Sequence, residues 1–340
     1  MRKGKNLSKD VLLPISNSYH RIIIPLYIPE EEGYYKDAFT IFTYCLISLH
    51  KTSSSNIKVS VVSNGSCDKV HERLFELQQE GSIDELIIEK ENIGKVNSIL
   101  KALRTAQERL ITITDADVLF DNDWEKEVVN VFQAFPKAGS VSPVPVFRTH
   151  FRLTSNIWFD HLFSSRLKFR PVKDPQSMTL FANSIGWPWL DIKYKDVIAT
   201  LKSKDDTIAV LGSSHFVCTY KREVFSKIPE NNSVYKLGGD SEYLYTDLPV
   251  LKMGGYRLAT YGNYAYHLGN VLEEWMVQKE DGIKVQKKEM NISKELKILK
   301  SRPFYYFFTD KIFKKIFYNI KMRNKVLAYK GLNKEQISNF

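Results

Sequence analysis

Cysteine is scarce: the 340 residues hold three, Cys45, Cys67 and Cys218. The number is odd and no C-x-x-C pair occurs. Both facts argue against a disulfide framework and against structural zinc, and they fit a reducing, cytosolic setting. Long apolar runs are also missing. No stretch reaches the roughly 20 residues that a membrane-spanning helix needs. The longest, AFTIFTYCLISL from Ala38 to Leu49, carries threonines and reads as a core helix. Behind the basic start MRKGKNLSKDVLLPISNS there is little apolar sequence, so no signal peptide is expected. There is no internal repeat, no low-complexity tract and no recognised nucleic-acid-binding motif.

Basic charge is absent from most of the chain. The net charge is +10, but residues 284–340 hold 15 Lys+Arg against 4 Asp+Glu, a net of +11. Residues 1–283 therefore sum to −1. A positively charged body for gripping nucleic acid is excluded, and the question of a partner moves to the tail.

What is present is an alternation of short β-branched runs and helical periods. RIIIPLYI (Arg21 to Ile28), IKVSVVS (Ile57 to Ser63), DELIIE (Asp84 to Glu89) and RLITIT (Arg109 to Thr114) read as strands. The segments between them have helical spacing. The order β-α-β-α-β-α-β predicts a mostly parallel sheet with helices on both faces, a Rossmann-like α/β fold. Ligands in such folds sit beyond the carboxyl ends of the strands. Residues 144–206 are less regular and read as binding loops or a lid.

At one of those strand ends the chain reads ITITDADVLF. An isolated buried carboxylate is costly, and two of them, Asp115 and Asp117, follow a strand that reads as fully buried. A divalent cation bound to a diphosphate would suit this pair, because such ions take oxygen ligands from one or two carboxylates and from phosphates. A second D-x-D, Asp121/Asp123 in DNDWEKEVVNVF, reads instead as a helix start, where acids suit the free N–H groups.

Further segments, in order, carry a family likeness. IIIPLY resembles a first strand with Pro25 and Tyr27 in place. VVSNGSCD resembles the VDDGSxD segment, ENIGKVNSILKAL the N-x-GK helix start, and ITITDADVLF the DAD strand end. GGDSEYLYTDLPVLKMGGYRL resembles the EDxEL segment that ends in GYR, and AYH the histidine after it. Together they resemble the GT-A glycosyltransferases, family 2 above all, over roughly residues 21–270 apart from the irregular middle.

The resemblance implies transfer of one sugar from a nucleotide sugar, UDP-linked by preference, to an acceptor hydroxyl with inversion. It implies that Asp117 and Asp115 hold Mn²⁺ or Mg²⁺, with Asp115 also near the ribose. His267 would be a third ligand or a phosphate contact, and imidazole tilts the choice towards Mn²⁺. Pro25, Tyr27, Asn64, Gly65, Asn92, Lys95 and Asp115 match nucleotide-contacting positions. Asp240 matches the general base; because the acid that usually precedes it is Gly239 here, Glu242 stands as the second candidate. The absence of membrane spans and of a Q-x-x-R-W motif favours a single addition over a polymerase.

Trp187 and Trp189, in GWPWL, are candidates for the acceptor saccharide, since aromatic faces pack on sugar C–H faces. In the tail, Phe308, Ile312, Ile316 and Ile320 fall on one helical face with Phe313 and Phe317 beside them, while lysines fall mostly elsewhere. That pattern predicts a helix lying on an anionic membrane surface through residues 302–325. The chain divides into an extension (1–20), a catalytic domain (21–283, with a nucleotide half 21–143 and an acceptor half 144–283) and a basic helical tail (284–340). A cytoplasmic protein on the inner face of the membrane is expected, acting on a lipid-linked saccharide in surface polysaccharide or glycolipid synthesis. Two other readings remain. A nucleotidyltransferase would share the sheet but carry a Gly-rich basic loop where PLYIPEEEGYY is acidic. A non-enzymatic protein would use the tail alone to bind membrane or nucleic acid.

Overall fold

The computed structural model describes residues 4, 7–12, 18–54, 56–147, 151–187, 195–286 and 296–339. Its centre is a ten-stranded sheet. Strands β1 (His20–Leu26), β2 (Ile57–Asn64), β3 (Glu85–Glu89) and β4 (Leu110–Thr114) alternate with helices α1 (Ala38–Thr52), α2 (Asp68–Gln79) and α3 (Lys95–Thr105). All four strands are parallel, in the order β3-β2-β1-β4. This half matches the expectation from sequence.

Side chains explain the two helical layers. Successive residues of a strand point to opposite faces. Ile22, Ile24, Val59 and Val61 therefore pack on one face with α1 and with α4 (Trp124–Ala134). Ile23, Val62, Ile111 and Ile113 pack on the other with α3. Strands covered on both faces read as continuous apolar runs, as these do.

Beyond β4 the sheet is mixed. After the short β5 (Val118–Phe120) and α4, β6 (Ala138–Ser142) resumes the common direction. The 144–206 stretch is more ordered than its sequence suggests. It contains α5 (Ser155–His161), β7 (Leu167–Pro171), α6 (Pro175–Ser184) and β8 (Val197–Lys202). Strands β7 and β8 form an antiparallel edge that continues through β9 (Ile208–Leu211). Short elements bounded by Pro171 and Pro175 hide their periodicity, but Ile157, Trp158, Leu167 and Leu201 are fully buried. Strand β10 (Val217–Lys221) is inserted antiparallel between β4 and β6. A π-helical turn (Tyr243–Asp247) and α7 (Leu248–Lys252) then lead to β11 (Tyr256–Thr260), parallel to β6, and to β12 (Ala265–His267). Helix α8 (Glu274–Asp281) follows.

The tail is helical but not one helix. α9 (Pro303–Tyr306), a π-helical stretch (Phe307–Phe313) and α10 (Lys314–Phe317) run on continuously, and the chain breaks at Tyr318. The Asn319 side chain accepts from the Lys321 amide to start α11 (Ile320–Tyr329), and α12 (Lys334–Asn339) ends the described chain. One face docks on the body that holds the sheet. Phe317 is 1% exposed and lies against Trp158, ring centroids 5.1 Å apart, with Phe313 stacked behind it. The Lys330 ammonium donates to the carbonyls of His161 and Ser164. Phe313 and Phe317 therefore belong to the docking face, while Phe304, Phe307, Phe308, Ile312, Ile316 and Ile320 stay exposed.

Candidate active site

Asp115 and Asp117 leave the end of β4. The Asp115 amide still donates to the Phe216 carbonyl at 2.7 Å, so β10 carries the ladder past Thr114 and fixes where the turn begins. The chain then enters β5, which pairs antiparallel with β12 and sets His267 opposite Val118. The Leu268 amide donates to the Asp117 carbonyl at 2.8 Å. These backbone bonds deliver a histidine from far along the chain to the two aspartates.

Ligand atoms of Asp115, Asp117 and His267 all lie within 4.8 Å of one another. His267 Nε2 is 3.5 Å from Asp117 Oδ2. That is too long for a hydrogen bond and suits two ligands of one ion. The ring stands edge-on to Phe216 and Phe181, centroids 5.3 and 6.2 Å away. Its Nδ1 is buried with no hydrogen-bond partner among the described residues. Burial pushes the Asp117 carboxyl up to about 6; His267 opposes the rise and Asp115 adds to it. Two carboxylates and an imidazole make a donor set that fits Mn²⁺ better than Mg²⁺, which strongly favours oxygen.

Lys95 opens α3 and lies in the site. Its Nζ is 2.6 Å from Asp115 Oδ1 and 2.7 Å from Glu242 Oε1. Burial lowers the pKa of the ammonium, but the two carboxylates more than reverse that. Lys95 is thus tied to acids rather than turned to solvent.

Glu242 also faces His215, whose Nδ1 is 3.5 Å from Glu242 Oε2 and whose Nε2 is 2.6 Å from Asp247 Oδ2. Burial raises the Glu242 carboxyl, yet His215 and Lys95 beside it hold it well below the ordinary carboxylate range. Burial lowers the His215 imidazole, and its bond to Asp247 together with the nearby Glu242 carboxylate carries it up to about 9. Its folded pKa lies above the unfolded value near 6.5, so its stabilisation is complete below about pH 6.5 and is lost as pH rises through about 9. The expected result is a melting temperature that falls across that window in the wild type and falls less in His215→Gln; calorimetric melts at pH 6 to 9.5 check it.

The remaining nucleotide candidates gather around the ends of β1 and β2. Tyr27 is 38% exposed beyond β1, edge-on to Tyr35 at 5.8 Å, and can offer a face to a base. Pro25 lies within β1. Asn64 and Asn92 spend much of their amides on each other. Asn64 Nδ2 donates to Asn92 Oδ1, Asn64 Oδ1 accepts from the Ile93 amide, and Asn92 Oδ1 also accepts from the Gly94 amide. Their first role is to join two loops. Gly65 is required at that joint: φ is +81°, and a Cβ would meet the Asn92 amide nitrogen at 2.6 Å.

Asp240 is exposed with φ +60°, after Gly238 and Gly239, which also have positive φ. Its carbonyl accepts from the Leu244 amide, so the residue opens the helical turn that carries Glu242 inward. Trp187 is 41% exposed and edge-on to Phe147 at 5.9 Å, just past α6. Trp189 lies outside the described residues. Asp121 and Asp123 do precede α4, but neither side chain caps it; Asp123 adopts φ +64°, and Asp121 pairs with Lys279 at 2.7 Å.

Sequence reasoning missed His215, Asp247 and Arg257. Asp247 and Arg257 are buried and paired at 2.8 Å. The only hint lay in GYRL, an arginine inside an otherwise apolar strand.

Residues 37–186 match the family described as glycosyl transferase family 2. This span includes Asp115 and Asp117 but not Asp240, Glu242 or His267. A comparison with curated protein sequences returns no match. Among solved structures, the chain is similar to S. aureus TarS, with 12% identity and a TM-score of 0.42, over 74% of this chain and 36% of that one. It is similar to the mannosyltransferase PcManGT from Pyrobaculum calidifontis in complex with GDP-Man and Mn²⁺, with 16% identity and a TM-score of 0.43, over 94% and 78%. The chain thus spans about a third of the length of the TarS chain.

Proposed function

We propose that the chain, whose residues 37–186 match the glycosyl transferase family 2 model, is a glycosyltransferase that carries out a metal-dependent, inverting transfer of one sugar from a nucleotide sugar to an acceptor hydroxyl. The convergence of Asp115, Asp117 and His267 carries this reading. These three residues would hold Mn²⁺ or Mg²⁺, which when bound supplies positive charge against the departing diphosphate. Tyr27 stacks on the base, with UDP preferred, and the Asn64–Asn92 joint shapes the loop beside it. Asp240 takes the proton of the acceptor hydroxyl as that oxygen attacks the anomeric carbon. The bond to the diphosphate oxygen breaks, and its electron pair leaves with the nucleotide. Trp187 borders the acceptor side.

A panel of UDP-glucose, UDP-N-acetylglucosamine and GDP-mannose with Mn²⁺, assayed for nucleotide release, tests the reading. Release from one donor, absent in EDTA, is expected. No release and no nucleotide binding with any of them would end it.

The exposed tail ridge is the basis for the second part of the reading, a peripheral seat on an anionic membrane where a lipid-linked acceptor is found. Phe307, Phe308, Ile312 and Ile316 are 41–58% exposed, and Lys311, Lys315 and Lys321 lie exposed around them. No described helix is long and apolar enough to cross a membrane. Apolar burial and lysine attraction would act together. Flotation with vesicles containing phosphatidylserine should recover the wild type, and neutral phosphatidylcholine vesicles much less. The variant Phe307→Ser/Ile312→Ser/Ile316→Ser should stay unbound. Equal recovery of variant and wild type would refute the membrane seat.

A further inference from the structure

Six charges of alternating sign run from the sheet to the aspartates at the end of β4. Arg257, 2% exposed on β11, forms an ion pair with Asp247 at 2.8 Å. Asp247, fully buried, meets His215 Nε2 at 2.6 Å. His215 Nδ1 faces Glu242 at 3.5 Å, Glu242 meets Lys95 at 2.7 Å, and Lys95 meets Asp115 at 2.6 Å. The chain crosses from the turn that carries Asp240 to the metal cluster.

The backbone is shaped for this arrangement. Glu242 and Asp247 are five residues apart, which on a regular α-helix would turn them to different faces. Between them the helix is π-wound over Tyr243–Asp247. A π turn closes an i→i+5 hydrogen bond and so brings residues five apart onto one face. Both carboxylates thereby reach opposite nitrogens of one imidazole, delivered by the loop between β9 and β10. A ring protonated on both nitrogens turns one N–H to each acid, with a hydrogen bond to Asp247 at 2.6 Å and a longer charge contact with Glu242 at 3.5 Å. Asp247 cannot swing away, because it is buried and held by Arg257.

We propose that His215 is a positioning residue for glycosyl transfer: braced by Asp247, it turns Glu242 to Lys95 and so holds the Asp240 turn in register with the aspartates of the donor side. The assignment rests on the glycosyltransferase reading. His215 itself touches no reacting atom. Glu242, paired on both oxygens, is an anchor in this scheme and not the proton acceptor.

The test compares wild type with His215→Gln, His215→Ala and Asp247→Asn, using the donor released most readily from the panel above. In the two His215 variants kcat should fall about 10- to 100-fold, the scale of a misplaced reacting group. KM for the donor should stay within about twofold, as should calorimetric affinity for UDP or GDP with Mn²⁺. Glutamine keeps one donor and should recover part of what alanine loses. Nitrogen NMR of the His215 ring should show loss of its protonated form near neutral pH in Asp247→Asn. Wild-type kcat in His215→Gln would overturn the proposal. So would equal losses of kcat and nucleotide affinity, the mark of a merely structural role. If His215→Ala does not fold, the glutamine variant and Asp247→Asn still decide. A wild type that neither binds nor turns over any nucleotide sugar would sink the glycosyltransferase reading itself, an outcome distinct from the others.

Discussion

Asp117→Ala should lose Mn²⁺-dependent nucleotide binding, and turnover should drop by about 10³-fold, since the charge a metal places on a leaving diphosphate is worth several kcal/mol. The measurement is calorimetry with UDP, then GDP, with and without Mn²⁺. The loss has to come from this carboxylate because its neighbours are differently engaged. Asp115 is already paired with Lys95, and His267 faces Asp117 through its Nε2 at 3.5 Å. Without Asp117 the cluster keeps one paired acid and one imidazole. The second D-x-D supplies the control. Asp123→Asn keeps a residue that tolerates φ +64° and removes only a surface charge beside α4; its nucleotide binding should match the wild type. Unchanged metal-dependent binding in Asp117→Ala would mean that the strand-end acids are a polar turn and no more.

Much of this site is legible in the sequence because it is local. The parallel half comes from runs such as RIIIPLYI, whose residues are apolar on both faces because helices cover both. The two aspartates follow from a buried strand that ends in acid. His267 is found by what precedes it, a short strand-like segment. The rest depends on contacts between distant segments. Nothing in VCTYK tells that β10 enters antiparallel between β4 and β6, yet that insertion fixes the Asp115 turn through the Phe216 carbonyl. The π turn that gathers Glu242 and Asp247 on His215 has no composition signal. Residues 144–206 read as loops because their elements are short and prolines end β7 and open α6. In the tail, a period of about four found the exposed ridge, but one chain cannot show that Phe317 has Trp158 waiting for it.

Asp240→Asn is expected to lower kcat by about 10²- to 10⁴-fold with little change in donor affinity, the range for removing a positioned general base. Two carboxylates lie within two residues of each other here, and their surroundings divide the work. Glu242 is bonded to Lys95, faces His215 and is held far below the ordinary carboxylate range, so it accepts a proton poorly. Asp240 is exposed at the end of a Gly238–Gly239 turn, free of any such pair among the described residues, and an incoming hydroxyl can reach it. The strained φ of +60° costs on the order of 1 kcal/mol. Asparagine tolerates that conformation well, so the variant should fold and the comparison stays chemical. Glu242→Gln gives the contrast. It leaves Lys95 with one partner and His215 with one, so its effect should include weaker nucleotide binding and a lower melting temperature. If instead Glu242→Gln abolishes transfer at full nucleotide affinity while Asp240→Asn remains active, the roles are reversed, and the base is the acid that the histidine holds.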